Sequence, residues 1–112
     1  MIYTIQHIAT LTGGAARLIN TESVIEQLLL DSRKVYSPAT SLFIAIKGAR
    51  RDGHTFIKDL YRSGVRNFII SETVTPEDFP DGNFITVEDT LSALQQIAYC
   101  HRRRFSLPVI GI

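Results

Sequence analysis

Two short polar strings in this chain combine residue types that handle anions. Asp31-Ser32-Arg33 follows the branched and apolar stretch Val24–Leu30, and Lys47-Gly48-Ala49-Arg50-Arg51-Asp52-Gly53-His54 follows the unbroken apolar run Leu42-Phe43-Ile44-Ala45-Ile46. A guanidinium pairs bidentately with phosphate oxygens, a hydroxyl and backbone N–H groups can read the edge of a base, and glycines let the backbone come close. If each string leaves the carboxyl end of a strand, it stands where open α/β sheets bind ligands. A following helix N-terminus would then add partial positive charge. Together they point to a phosphate or nucleotide pocket. A plainer reading stands beside this one. In it Gly48 and Gly53 serve turns, Arg50 and Arg51 are solvated, Asp31 pairs with Arg33 on one strand face, and His54 caps a helix. A glycine-bearing loop alone does not decide between the two.

Other chemistries find less support. His7, His54 and His101 are far apart in sequence, with no carboxylate at metal-ligand spacing, so no metal site is expected. Cys100 is the single cysteine, which leaves no disulfide framework and no thiolate cage and favours a reducing compartment. Without a histidine and an acid around it, it reads as a buried spectator. Arg102-Arg103-Arg104 suits the carboxyl end of a helix dipole. No Gly-x-x-x-x-Gly-Lys-Ser/Thr phosphate loop occurs. By its own residues the chain shows no catalytic machinery.

The elements that must position the two strings can be read from periodicity and punctuation. Thr4 is placed to cap a helix with apolar Ile5, Ile8, Ala9 and Leu11, ended by Gly13-Gly14. Strands are expected at 15–19, 24–30, 42–46, 67–70 and 84–87, with a turn at Ser37-Pro38 and a loop over 75–81. The 42–46 run reads as the central strand, because continuous apolar sequence implies burial on both faces. A helix over 55–63 buries Phe56, Ile57, Leu60 and Tyr61 and stops at Gly64. A longer one over 90–104, capped by Asp89 or Thr90, carries the stripe Leu91, Leu94, Ile97, Ala98 and His101. Strands alternating with helices define an α/β fold: a small mixed, mainly parallel sheet flanked by helices.

With 112 residues, 45% of them apolar and 21% charged, the chain suits one globular domain. A formal net charge of +1 gives no overall field for nucleic acid or an anionic membrane, so anion recognition must be local. No apolar run approaches the ~20 residues that span a bilayer, and the N-terminus does not read as a signal peptide, so a cytoplasmic location is expected. Leu107-Pro108-Val109-Ile110-Gly111-Ile112 reads as a bare apolar strand, which suggests a cut at a domain boundary.

Taken in order, Asp31-Ser32-Arg33, Ser41–Gly48, Asp52-Gly53-His54-Thr55-Phe56-Ile57 and Ser63-Gly64-Val65 resemble the N-terminal domain of a Mur ligase. The family pattern there is Asp-Ser-Arg, a Leu-Phe-Val-Ala-x-x-Gly strand, Asp-Gly-His-x-Phe and a helix ending in Gly-Ala. The resemblance runs from about Ile25 to Ile112. It implies an ATP-dependent, amide-bond-forming ligase of peptidoglycan precursors, hence of cell-wall synthesis, cell shape and division. Residues 1–106 would be its substrate-binding domain, holding the UDP end of a UDP-N-acetylmuramoyl-peptide. Residues 107–112 would be the first strand of a central ATP-binding domain. By motif position Ser32 and Arg33 fall at the uridine-diphosphate end, and Gly48, Ala49, Arg50 and Arg51 form the loop along uracil and ribose. ATP and Mg2+ would be bound by domains outside this chain, leaving the fragment inactive alone. A monomer is expected, without nucleic-acid or membrane partners. The Asp-Gly-His-x-Phe form and the short lead before Asp31 look more like the branch that adds D-alanyl-D-alanine to the tripeptide precursor than the branch adding the third amino acid. Pro38-Ala39-Thr40 departs from the usual Pro-Gly-Asp turn, and Gly64-Val65 from Gly-Ala. A free-standing nucleotide- or anion-binding module is the alternative from another class.

Overall fold

The computed structural model of the chain describes residues 3–30, 37–46 and 53–104. In chain order its elements are β1 (Tyr3–Thr4), α1 (Ile5–Thr12), β2 (Ala15–Arg17), β3 (Val24–Ile25), β4 (Gln27–Leu29), β5 (Ser41–Ile44), α2 (Ile57–Ser63), β6 (Asn67–Ile70), β7 (Asn83–Thr86) and α3 (Thr90–Arg104). Five strands form one sheet in the order β2-β7-β6-β5-β4. Strands β4 to β7 run parallel, and β2 closes one edge antiparallel to β7. The α/β class and the mainly parallel sheet are thus as the sequence predicts.

Helices cover both faces, which explains the unbroken apolar runs. On one face, α1 and α3 pack Ile5, Ile8, Ala93 and Ile97 against Leu42, Ile44, Ile69 and Ile85. On the other, Ile57 and Leu60 of α2 meet Phe43, Ala45, Phe68 and Ile70. Register places Leu29, Phe43, Phe68 and Phe84 in one row across four strands. Phe68 and Phe84 stack at 5.0 Å between ring centroids, and Phe79 extends the cluster from the loop after β6. Each such buried side chain contributes about 1.5–3 kcal/mol of transfer free energy, so these rows dominate the cohesion of the sheet.

Caps set the helix limits. The Thr4 hydroxyl accepts from the His7 amide at 3.2 Å, and α1 stops at Gly13 with φ 68°. Asp89 rather than Thr90 caps α3: its carboxylate accepts from the Leu91 amide and the Ser92 hydroxyl, both at 3.0 Å. Thr90 is itself buried. Gly64 ends α2 at φ 110°, a conformation that favours glycine, and its amide returns to Leu60 and Tyr61.

At the amino edge of the sheet a buried asparagine ladder ties down the chain after β2. Asn83 Oδ1 accepts from the amides of Ile19 and Asn20 at 2.7 and 3.0 Å. Its Nδ2 donates to Asn20 O at 3.0 Å and to Asn67 Oδ1 at 2.9 Å. Both polar atoms of the amide are fully used, which is what burial of a polar group requires.

Four expectations need correction. The 24–30 strand is two strands. β3 pairs antiparallel with β1, a strand not anticipated, whereas β4 joins the main sheet; between them the Glu26 amide donates to Thr40 O at 2.8 Å. The middle strand is β6, with β5 beside it, because β2 adds a position on the far side of β7. The helix expected from Thr55 opens with a 3-10 turn over Gly53–Phe56 and becomes α-helical at Ile57, where Phe56 and Tyr61 are only half-buried. The buried stripe of α3 is Thr90, Ala93 and Ile97 with Leu94 half-buried, while Leu91 and Ala98 are exposed. Thr90, Ala93 and Ile97 thus define the inward face of α3, which packs against α1.

Candidate functional site

The parallel strands all deliver their carboxyl ends to one edge of the sheet. Neighbouring strands β4 and β5 are held in register by Leu29 opposite Phe43, so the segments that follow them leave from adjacent points on that edge. The sequence-predicted site residues Ser32 and Arg33 belong to the first segment and Gly48, Ala49, Arg50 and Arg51 to the second; all six lie outside the described residues. What the structure supplies is the frame at their roots.

That frame is tight at the second segment. The chain leaves β5 through Ala45 and Ile46, and the Gly53 amide donates to Ile46 O at 2.9 Å, so Ile46 and Gly53 are held together. A Cβ at Gly53 would lie 2.9 Å from both Ala45 Cα and Ile46 N, closer than real side chains approach backbone. Glycine is needed here for space between two backbones, not for an unusual φ.

His54 fastens the return. Its Nε2 accepts from the Ser71 amide at 3.0 Å, and its Nδ1 lies 3.2 Å from Glu72 Oε2. The imidazole side chain is 9% exposed and the Glu72 side chain 46%, so the ring is enclosed while its carboxylate partner faces solvent. Ser71 and Glu72 directly follow β6, so His54 bridges the carboxyl ends of β5 and β6. Sequence reading left open whether His54 capped a helix or met a ligand. The structure shows a third role, and Ser71-Glu72 was missed. The signal was available, since Ser71-Glu72 is a polar stop directly after the apolar run Phe68-Ile69-Ile70.

At the other end of the same edge, beyond β7, a cleft of about 460 Å³ opens between the turn after α1 and the first turn of α3. Thr12, Gly13, Glu88, Asp89, Ser92 and Gln96 are among its walls. Its described lining holds two carboxylates and neither Lys nor Arg, which suits a diphosphate poorly. Among the described residues no group of three or more His, Cys, Asp or Glu could hold a metal ion, and no helix is long and apolar enough to cross a membrane.

The described residues define an α/β domain with a mainly parallel sheet, in which Gly53 and His54 tie the carboxyl ends of β5 and β6 together. Comparison with known proteins specifies the class further. Residues 24–102, from β3 into α3, match the model of the Mur ligase family, catalytic domain, and the chain belongs to the Mur ligase family. It is 34% identical over 110 residues to the UDP-N-acetylmuramoyl-tripeptide–D-alanyl-D-alanine ligase of Bacillus subtilis, covering 97% of this chain and 23% of that protein. The UDP-N-acetylmuramoyl-L-alanyl-D-glutamate–2,6-diaminopimelate ligase of Clostridium perfringens is 33% identical over 95 residues, 83% of this chain and 19% of that one. Among solved structures, MurF from Acinetobacter baumannii superposes with a TM-score of 0.78 at 26% identity, covering 93% of this chain and 22% of its own. The chain thus spans less than a quarter of the length of these relatives.

Proposed function

We propose that this chain is the substrate-binding domain of an ATP-dependent ligase that joins D-alanyl-D-alanine to a UDP-N-acetylmuramoyl-tripeptide, and that it holds the UDP end of that precursor. The observation that carries the reading is the ordered set of motifs, Asp31-Ser32-Arg33, Leu42–Gly48 and Asp52-Gly53-His54, rooted at adjacent strand ends of one sheet edge. The tripeptide branch is favoured over the diaminopimelate branch because the Bacillus subtilis relative aligns over 97% of the chain and the Clostridium perfringens relative over 83%.

In this reading Arg33 pairs with the diphosphate, the Ser32 hydroxyl reads the uridine end, and Gly48, Ala49, Arg50 and Arg51 follow uracil and ribose. Residues 1–106 form the domain and 107–112 begin the next one. ATP and Mg2+ are held by the rest of the protein, which activates the substrate carboxylate for attack by the amine of the dipeptide. This domain contributes affinity and orientation, and alone it has no ligase activity. The setting is the cytoplasm, where the UDP precursor is made, with the protein acting as a monomer.

Titration of the chain with UDP, followed by amide chemical shifts, tests the site. Shifts are expected at 31–33 and 47–54, and shifts confined elsewhere would remove the assignment. In the full-length protein Arg33→Ala should raise KM for the UDP-linked substrate while leaving ATP binding intact. ATP consumption that fails to respond to UDP-muramoyl tripeptide with D-alanyl-D-alanine would remove the branch.

A further inference from the structure

The helices on the two faces of the sheet differ in what they show to solvent. On α2 the exposed positions are Lys58, Asp59, Arg62 and Ser63, the charged surface usual for an amphipathic helix. Residues 1–16 and 90–100, which include all of α1 and most of α3, contain no Asp, Glu, Lys or Arg, in a chain that is 21% charged. Between Asp89 and Arg102 the exposed residues of α3 are Leu91, Ser92, Gln95, Gln96, Ala98 and Tyr99. Ser92 and Gln96 turn toward the cleft beside α1. Helical spacing puts Leu91, Gln95, Ala98 and Tyr99 in a separate stripe about 12 Å long. Leu91 is 48% exposed and Tyr99 59%. The inward packing of α3 does not call for them, because Ala93 and Ile97 already fill that side. A neutral stripe of apolar groups and amides suits a contact between domains of one chain, which is more polar than an obligate interface.

We propose that the stripe Leu91, Gln95, Ala98 and Tyr99 is a docking surface, and that its occupant is the part of the same polypeptide that follows this domain. This rests on the reading that the chain is one domain of a longer ligase. Length selects the occupant first: the chain spans 23% of the Bacillus subtilis relative and 19% of the Clostridium perfringens one, so most of a protein of that size lies outside it. Position selects it next. In that reading the following domain begins at 107, and α3 runs to Arg104, so Tyr99 lies within two helical turns of the connection. A tether of a few residues gives an effective concentration of about millimolar, at which a small patch is enough. A second copy has no tether, and four side chains bury far less than the roughly 800 Å² per partner of a stable dimer. Because α3 starts directly after β7 ends at the carboxyl edge of the sheet, a domain seated along α3 is held at a fixed attitude to that edge.

The experiment uses the full-length protein and hydroxyl radicals as the probe, with side-chain oxidation read by mass spectrometry against the same protein unfolded in urea. Leu91 and Tyr99 should be oxidised as slowly as buried Ile97. Oxidation at about half the unfolded rate, which their exposures of 48% and 59% imply for an open surface, overturns the proposal. Protection should persist over an about hundredfold dilution, since an intramolecular contact does not follow mass action; protection lost on dilution means a second copy and overturns it. Ala98→Arg sets a charge in the middle of the stripe, at an exposed position outside the domain's own core. It should return Leu91 and Tyr99 to about half the unfolded rate, with Ile97 still protected. Unchanged protection of all three overturns the assignment of the surface, and if the variant fails to fold, which Ile97 reports, the wild-type rates decide. The underlying reading is tested separately. A natural protein no heavier than this chain removes the multidomain reading and the docking with it, whereas a full-length ligase with Leu91 and Tyr99 freely oxidised loses the docking alone.

Discussion

The Gly53 amide meets the Ile46 carbonyl at 2.9 Å, and this bond joins the two described residues that flank 47–52 in the sequence. The absence of a side chain at 53 is what leaves room for it at this distance. A methyl group there would press on Ala45 Cα and Ile46 N, both backbone atoms of the strand exit that cannot rotate away. Gly53→Ala is therefore expected to destabilise the chain by about 1–3 kcal/mol, the range for overpacking a filled site. Its urea midpoint should fall and the amides of 45, 46 and 54 should shift. An unchanged midpoint would mean that the close approach is relieved at no cost.

Gly64 offers the contrast, because its requirement is conformational. At φ 110° an L side chain is strained, and its Cβ would also come within 3.2 Å of Pro38 Cγ, a side-chain atom with some freedom to give. Gly64→Ala should cost about 1–2 kcal/mol. D-alanine introduced at 64 by chemical synthesis should recover most of that loss, because a positive φ is ordinary for a D residue. Thermal unfolding of Gly53→Ala, Gly64→Ala and the D-alanine variant separates the two cases.

A third expectation concerns the amino edge. Removing the Asn83 side chain leaves the amides of Ile19 and Asn20 and the oxygen of Asn67 without their partner, at a cost of about 2–4 kcal/mol. Hydrogen exchange should show the Ile19 and Asn20 amides losing protection in Asn83→Ala before the strand amides of β6 do. Loss of protection spread evenly over the sheet would argue that the ladder does not act locally.

The orientation of α3 yields a fourth. Ile97→Ala opens a cavity against the sheet face formed by Ile69 and Ile85 and should cost about 2–4 kcal/mol. Leu91→Ala, at a residue 48% exposed, should stay within about 0.5–1 kcal/mol. Urea denaturation decides it: comparable losses at both positions would restore the stripe expected from sequence.

These cases show which parts of the fold were readable in advance. Caps at Thr4, Gly13 and Gly64 and the apolar runs of β5, β6 and β7 rest on local chemistry, so the alternation of strands and helices and the α/β class could be read directly. The split at Glu26 could not, because two-residue strands such as β1 and β3 are too short to carry a period. Nor could the choice of middle strand, since β5 and β6 are equally apolar and only the added β2 decides. On α3 the expected stripe meets the buried face at Ile97 and partly at Leu94 but not at Leu91 or Ala98, because an apolar spacing does not by itself fix the rotation of a helix about its axis. Of the candidate site, the motif strings were legible as strings. The anchor was not: His54 and Ser71 are joined across 17 residues, and Asn83 and Ile19 across 64, distances at which no sequence pattern records a hydrogen bond.

The last expectation follows from charge. The chain carries a formal +1, so its long-range field attracts a diphosphate little, and in the proposed site the attraction comes from Arg33, Arg50 and Arg51. At physiological ionic strength the screening length is about 8 Å, so cations within that distance of the ligand dominate its electrostatic free energy. UDP affinity should accordingly fall as salt is raised from about 20 to about 200 mM, a change that shortens the screening length about threefold. Uridine, which lacks the phosphates, should bind weakly and respond little to salt. Arg33→Ala should flatten the salt dependence of UDP and leave uridine unaffected, because the lost partner is a phosphate partner. The same slope in Arg33→Ala and wild type, measured by isothermal titration calorimetry, would place the diphosphate away from Arg33 and move the site off the edge formed by β4 and β5.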